Sequence, residues 1–256
     1  MRTKDFEDLY NLEESLWWFT GMREITQALL DRYCPPTQDR TVLDAGSGTG
    51  DMIARLTRYA GNGTVFGIDI DSDALAFCRK RNIDTLTQAS ATSLPFVNEI
   101  FDLVTSFDVL VQLQGKESDL DAIDEIYRVL RPGGVAFFRV AAYRWMRSGH
   151  DEALETFRRY SLDNIRQSVK ASGFEILRET YANCLLLPVA AIHRLILKPL
   201  GLTQSGSDVK ALPTSLSWLN KILTKVLSIE ASILKHPRTK LPFGLSAICI
   251  VRKPLS

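Results

Sequence analysis

Along the first two thirds of the chain, short apolar runs rich in β-branched residues alternate with stretches spaced like helices. Residues 41–43 read as a strand ending at Asp44, and 51–59 as the helix behind it. Further strands are expected at 64–68, 83–88 (the weakest), 101–107 and 135–140, with helices at 72–81 and 117–130 between them. Arg131-Pro132-Gly133-Gly134 is a strong stop signal after the second of these helices. Strand–helix alternation at this spacing predicts right-handed βαβ units and a parallel sheet covered on both faces. Beyond residue 140 the rhythm changes. Ser161 is placed to cap a helix reaching about Ala171, 174–180 reads as a strand and 245–251 as the last one. The residues between those two strands are mainly helical in pattern, with Leu216, Leu219, Leu223, Val226, Leu227, Ile233 and Leu234 near one helical face. That stripe is expected to pack on the sheet, and an insertion this long is also a candidate lid or binding element. The organisation expected is one α/β domain: an N-terminal helical cap at 1–37, a core at 38–181, a helical insertion at 182–243, then the last strand and tail at 244–256.

Composition changes this picture little. Of 256 residues, 45% are hydrophobic and 24% charged, which argues against disorder. Charge matters once it is divided by position. From residue 182 onward ten Lys or Arg face two acids, Asp208 and Glu230, a net +8, although the whole chain carries only +1. The C-terminal part is therefore expected to face something anionic, or to be a basic solvated surface. Cys34, Cys78, Cys184 and Cys249 are far apart and form no CxxC pair, so no metal site is expected. The N-terminus lacks the apolar run of a secretory signal. The most apolar stretch, 184–200, is interrupted by Pro188, His193, Arg194, Lys198 and Pro199 and is too short and polar to span a bilayer. The expectation is a cytoplasmic protein able to lie against the inner face of a membrane.

Candidate chemistry begins at Val42-Leu43-Asp44-Ala45-Gly46-Ser47-Gly48-Thr49-Gly50. Glycines at 46, 48 and 50 let the backbone turn sharply after the first strand and approach a ligand closely. The spacing differs from GxGxxG, and no GKS or GKT marks a P-loop. About twenty residues on, Gly67-Ile68-Asp69-Ile70-Asp71 ends the second strand with an acid suited to ribose hydroxyls. Either acid can instead cap the following helix, and Asp71 fits that role as well as Asp69 fits the ribose one.

With Ser93-Leu94-Pro95-Phe96, Phe101-Asp102-Leu103-Val104 and Arg128-Val129-Leu130-Arg131-Pro132-Gly133-Gly134 following in order, the chain resembles the class I S-adenosylmethionine-dependent methyltransferases of the methyltransferase type 11 group over residues 40–180. The resemblance implies a Rossmann-like seven-stranded, mostly parallel sheet of order 3-2-1-4-5-7-6, with S-adenosyl-L-methionine at the carboxyl ends of the early strands. By that resemblance Asp44, Gly46, Ser47, Gly48 and Gly50 border the methionine part of the cofactor and Asp69 holds the ribose. Ile70 packs on adenine or else in the core. Ser90 stands where the family often has an acid near adenine, with the Ala91 backbone beside it; Phe107 and Asp108 border the cofactor. Upstream, Glu14-Ser15-Leu16-Trp17-Trp18-Phe19-Thr20-Gly21-Met22-Arg23 resembles the aromatic opening of some of these enzymes. Trp18 is a candidate to close the pocket, and Arg23 to pair with the methionine carboxylate unless it is an ordinary surface arginine.

Methyl transfer asks a protein mainly to align a nucleophile and exclude water. Gln112 occupies the position where many relatives carry a histidine and cannot act as a base near neutral pH. The remaining catalytic candidates on the acceptor side are His150, or Asp151 beside it, as the base, and Tyr160, which with Arg158 and Arg159 is suited to hold an anionic or phenolic acceptor lined also by Gln112; a purely structural loop is the competing reading. Apolar residues within a basic C-terminal region favour a small or lipid-like organic acceptor. An RNA methyltransferase, or a regulatory or scaffold subunit that binds the cofactor without turnover, are the alternatives. Few aromatics accompany the basic residues, which disfavours nucleic acid.

Overall fold

A computed structural model of the chain describes residues 3–36, 38–115, 118–147, 151, 155–192 and 216–255. Seven strands form one sheet: β1 (Val42–Ala45), β2 (Val65–Asp69), β3 (Leu86–Gln88), β4 (Phe101–Phe107), β5 (Leu130–Ala141), β6 (Glu175–Ala182) and β7 (Ser246–Arg252). Their order is β3-β2-β1-β4-β5-β7-β6, as expected. All neighbours are parallel except β7, which runs antiparallel to both β5 and β6.

Period-2 alternation sends successive side chains to opposite faces, and each face has its own core. On one face Phe138, Cys249 and Val251 meet α5 (Ser118–Val129) and α6 (Leu162–Ala171) through Ile123, Ile126, Ile165 and Val169. On the other, Phe137, Ile248 and Ile250 meet α2 (Trp17–Leu30), α3 (Asp51–Ala60) and α8 (Ser217–Leu234) through Ile25, Leu29, Leu56, Leu227 and Leu234. Helices α2 and α8 pack so closely at Gly21 that a Cβ there would collide with the Leu227 side chain. Further helices among the described residues are α1 (Thr3–Leu12), α4 (Ser72–Lys80) and α7 (Leu187–Ile192), with a 3-10 turn at Arg144–Met146.

Two local expectations are corrected. Arg131-Pro132-Gly133-Gly134 does not separate helix from strand but bulges within β5: the register steps from Phe101 opposite Leu130 to Leu103 opposite Val135. Gly133, at φ +81°, turns its N–H to the Lys253 carbonyl at 2.8 Å, so β5 keeps a backbone partner through the bulge. Of the stripe in α8, Leu227 and Leu234 are buried as expected, but Ile233 is 44% exposed. It lies about a third of a turn away from them on the helix wheel.

The caps follow side-chain chemistry. Asp71 accepts the Asp73 N–H at 2.9 Å and starts α4. Ser161 and Asn164 form a reciprocal capping box at α6. The chain reverses direction of winding between β1 and β4, and the crevice at their carboxyl ends is where open α/β sheets take ligands.

Candidate cofactor cavity and acceptor wall

β1 delivers Asp44 to the floor of that crevice. Its carboxylate is buried; Oδ1 accepts the Thr105 hydroxyl at 2.7 Å, while Oδ2 has no hydrogen-bond partner. Burial pushes its pKa up to about 7; the Thr105 bond opposes this, neighbouring Asp69 adds to it and Arg139 opposes it. A half-satisfied buried carboxylate is costly unless a cationic or donor group meets it.

After Asp44 the chain turns through Gly46, Gly48 and Gly50, at φ +94°, +52° and +90°. A Cβ on Gly46 would strike the Val109 side chain, so the turn depends on glycine there. The Gly46 and Ser47 N–H groups donate to the Ile68 carbonyl at 2.9 and 2.8 Å, and the Ser47 hydroxyl donates to the Asp44 carbonyl. These bonds tie the turn to β2. From the end of β2, Asp69 reaches back: Oδ2 accepts the Gly48 N–H at 2.8 Å and Oδ1 the Asp71 N–H at 3.0 Å. Burial raises its pKa, and those backbone donors hold it down. Ile70, next in sequence, is 70% exposed, which removes the core reading and leaves an apolar platform beside Asp69. Ser90 bonds to the Thr92 hydroxyl and N–H within a turn, and Ala91 is buried behind it.

The roof comes from the N-terminal helices. A cavity of about 140 Å³ lies between them and the glycine turn, walled by Glu13, Trp18, Arg23, Asp44, Phe107 and Arg139. Glu13 is buried, bonded to the Thr49 hydroxyl and paired with Arg81 at 3.1 Å. Burial lifts its pKa to about 7 against the Thr49 bond. Arg23 is where the sequence places it but already engaged: it pairs with Asp51 at 3.0 Å and donates to the Glu13 carbonyl and the Thr20 hydroxyl. The cation with donors to spare is Arg139 on β5. Its Nε donates to Asp108 Oδ2 at 2.8 Å, and its guanidinium lies over the Trp18 and Phe107 rings at 5.3 and 4.9 Å. Among the described residues no acceptor bonds its Nη groups. Asp108 is held at φ +58° for this pairing.

Sequence reasoning missed Arg139, Glu13 and Asp51. For Arg139 a signal existed, since it is the one charge in the run Val135-Ala136-Phe137-Phe138-Arg139-Val140. Glu13 and Asp51 carry no comparable signal in the sequence.

The acceptor-side candidates form a different assembly. His150 lies outside the described residues. Asp151 is buried, with Oδ1 and Oδ2 receiving Arg159 Nε at 2.6 Å and Nη2 at 3.2 Å, while Arg159 Nη1 donates to the Ala142 carbonyl at 2.7 Å. Tyr160 donates to Asp119 Oδ2 at 2.7 Å, and burial beside that carboxylate drives its pKa further upward. Arg158 pairs with Asp119 and donates to the Leu113 and Gly115 carbonyls. Asp151 and Tyr160 thus stand within a network of ion pairs and hydrogen bonds. Burial beside the Asp119 carboxylate favours the protonated Tyr160 phenol. These four residues line a separate cleft of about 520 Å³; Arg158 and Tyr160 fasten the segment after β5 to the segment after β4, while Arg159 and Asp151 brace the former internally. Gln112 is exposed on the latter segment.

Residues 43–138 match the model of a methyltransferase domain. The ubiquinone/menaquinone biosynthesis C-methyltransferase UbiE of Klebsiella pneumoniae subsp. pneumoniae is 39% identical over 103 residues, 37% of this chain and 40% of that one. A Mycolicibacterium smegmatis protein named a probable S-adenosylmethionine-dependent methyltransferase is 29% identical, over 64% of this chain and 62% of its own. The chain thus spans less than half of the first of these relatives and somewhat under two thirds of the second. Among solved structures, the Haloferax volcanii protein in complex with the Trm112 methyltransferase activator superimposes with a TM-score of 0.62 over 98% of this chain and 96% of its own, at 18% identity. The last likeness shows a shared fold.

Proposed function

We propose that this chain, by fold and by the domain at residues 43–138 a class I S-adenosylmethionine-dependent methyltransferase, transfers the cofactor's methyl group to a small, lipid-like organic acceptor. The observation that carries the cofactor reading is the unpartnered Asp44 Oδ2 on the floor of a cavity that also holds the free Nη donors of Arg139. An anionic and a cationic group left incomplete side by side suit the ammonium and carboxylate of an amino acid. Asp69 and exposed Ile70 supply an acceptor for ribose hydroxyls and a face for a base. The residues present therefore fit the cofactor, whose sulfonium brings an electrophilic methyl group when bound.

Within that frame the protein's part is to bind, orient and exclude water. Trp18 and Phe107 enclose the amino-acid end beneath α2, and Glu13 with Arg81 holds the roof against the glycine turn. Asp151, Arg159, Tyr160 and Arg158 act as positioning residues that keep the acceptor wall rigid. His150 is the remaining candidate base for an acceptor that retains its proton. The names of the UbiE relatives, which refer to quinone synthesis, support the lipid-like acceptor class.

Calorimetric titration with S-adenosylmethionine and S-adenosylhomocysteine tests the cofactor assignment. Heat with a single site is expected, and its absence from folded protein would overturn the assignment. Methyl turnover against a lipid and metabolite extract tests the transfer. Binding without any turnover would favour a regulatory role. For His150→Ala, an unchanged rate at every pH excludes that residue as the base.

A further inference from the structure

The outward face of α8 is apolar and basic at once. Trp218, Ile222, Ile229 and Ile233 are 56%, 50%, 49% and 44% exposed. Their spacing of four, seven and four residues places them in a single stripe along the helix. Lys221 and Lys225, both exposed, lie within and beside that stripe. The only acid in α8, Glu230, points the opposite way and is 1% exposed. There it accepts the N–H groups of Asn183, Cys184 and Leu185 at 2.5, 2.9 and 3.3 Å. That clamp fixes the start of the segment leading into α7, and carries exposed Leu185, Val189 and Ile192 along with it. Water-facing helices seldom present this much aliphatic surface without a partner. Among the described residues no helix is long and apolar enough to cross a membrane, so the stripe does not mark a span.

Its position gives the stripe a use. Near the start of α8, Asn220 accepts the Trp17 N–H at 2.8 Å and donates to the Ser15 carbonyl at 2.9 Å. This end of the stripe is thus pinned to the hinge between α1 and α2, one residue from the Trp18 that walls the cofactor cavity.

We infer that the outward face of α8 docks in the plane of an anionic lipid surface. The aliphatic side chains and Trp218 enter the boundary between headgroups and acyl chains, and Lys221 and Lys225 meet lipid phosphates. Carrying Lys221 and Lys225 and no acid of α8, this face is the charge complement of such a surface. The inference rests on the proposed function for its purpose, because a lipid-like acceptor would then reach the cavity from the bilayer.

The test is flotation of the full chain with vesicles of phosphatidylcholine alone or with about one third phosphatidylglycerol, at low and at high salt. Binding is expected only with the anionic vesicles and weaker at high salt. Ile222→Ser/Ile229→Ser should lower partitioning about tenfold or more, since each buried side chain contributes on the order of its transfer energy. Lys221→Glu/Lys225→Glu should remove the salt-sensitive part. Blue-shifted emission on vesicle binding, lost in Trp218→Phe while flotation persists, would locate the contact. All these positions are exposed, and unchanged cofactor titration by each variant checks that it folds. Cofactor binding by a wild-type chain that never floats would overturn the docking and leave the methyltransferase reading intact. Doubling of mass in sedimentation velocity without vesicle binding would assign the stripe to a second copy instead and equally overturn it. Flotation that is identical in the serine variant would exclude this face.

Discussion

Asp44 offers the sharpest prediction, because its carboxylate sits near pKa 7 in the free protein for a reason visible in its surroundings: burial with one oxygen unpaired. If an ammonium group completes that carboxylate, only the ionised form binds well, and apparent affinity follows the ionised fraction. With a pKa of about 7, that fraction is roughly one tenth at pH 6 and three quarters at pH 7.5, so affinity for S-adenosylhomocysteine should rise about eightfold across that interval, or about 1.2 kcal/mol. The sign is that of an acid raised by burial: affinity grows with pH through the raised pKa and flattens above it. Asp44→Asn keeps the shape and the Thr105 contact while removing the titration. It should bind more weakly at pH 7.5 and with little dependence on pH. The ligand's own amine titrates in both proteins, so the ratio of the two profiles isolates residue 44. Glu13 is also raised to about 7 and walls the same cavity, while Asp51 and Arg23 neutralise each other. A Glu13→Gln profile run alongside therefore separates the two carboxylates. Isothermal titration at four or five pH values suffices. Parallel profiles for wild type and Asp44→Asn would refute the reasoning.

Arg139→Met should weaken cofactor binding by about ten- to a hundredfold, the range for losing charge-assisted hydrogen bonds, whereas Arg23→Met should chiefly lower thermal stability by leaving buried Asp51 only its longer contact to Arg55; titration and melting together distinguish these outcomes. Asp151→Asn should destabilise the fold by about 3–5 kcal/mol in urea unfolding, because it leaves the buried Arg159 guanidinium without its counter-charge. Its pH–rate profile per folded molecule should keep the wild-type shape; loss of a limb would restore Asp151 as a base. Gly46→Ala, strained at φ +94° and driven against Val109, should cost about 2–4 kcal/mol in calorimetric unfolding.

Much of the fold was legible in local pattern. Short apolar runs rich in β-branched residues, interrupted by caps such as Asp71 and Ser161 and by turns built on glycine, specify strands and helices through interactions within a few residues. The glycine turn and Asp69 were legible for the same reason, since a sharp turn after one strand and an acid at the end of the next need only their own neighbours. The bulge in β5 was not, because Pro132 and Gly133 read as a terminator until Lys253, just past the end of β7, supplies the carbonyl that keeps the backbone paired.

What tertiary structure alone decided is which charges are free. Arg23 and Arg139 are indistinguishable as side chains, yet Asp51 engages the first and leaves the second with open donors, a difference set by residues 28 and 31 positions away from their respective partners. Asp151, Tyr160 and Arg159 carry suitable chemistry for catalysis in a linear reading, but folding closes them on one another and on Asp119. Burying charged and polar side chains unpaired is costly, so the fold settles most of their partners before any ligand arrives, and the unpartnered Asp44 Oδ2 is an exception. Local sequence can name a reactive group; whether its lone pairs and protons are still available depends on contacts between distant parts of the chain.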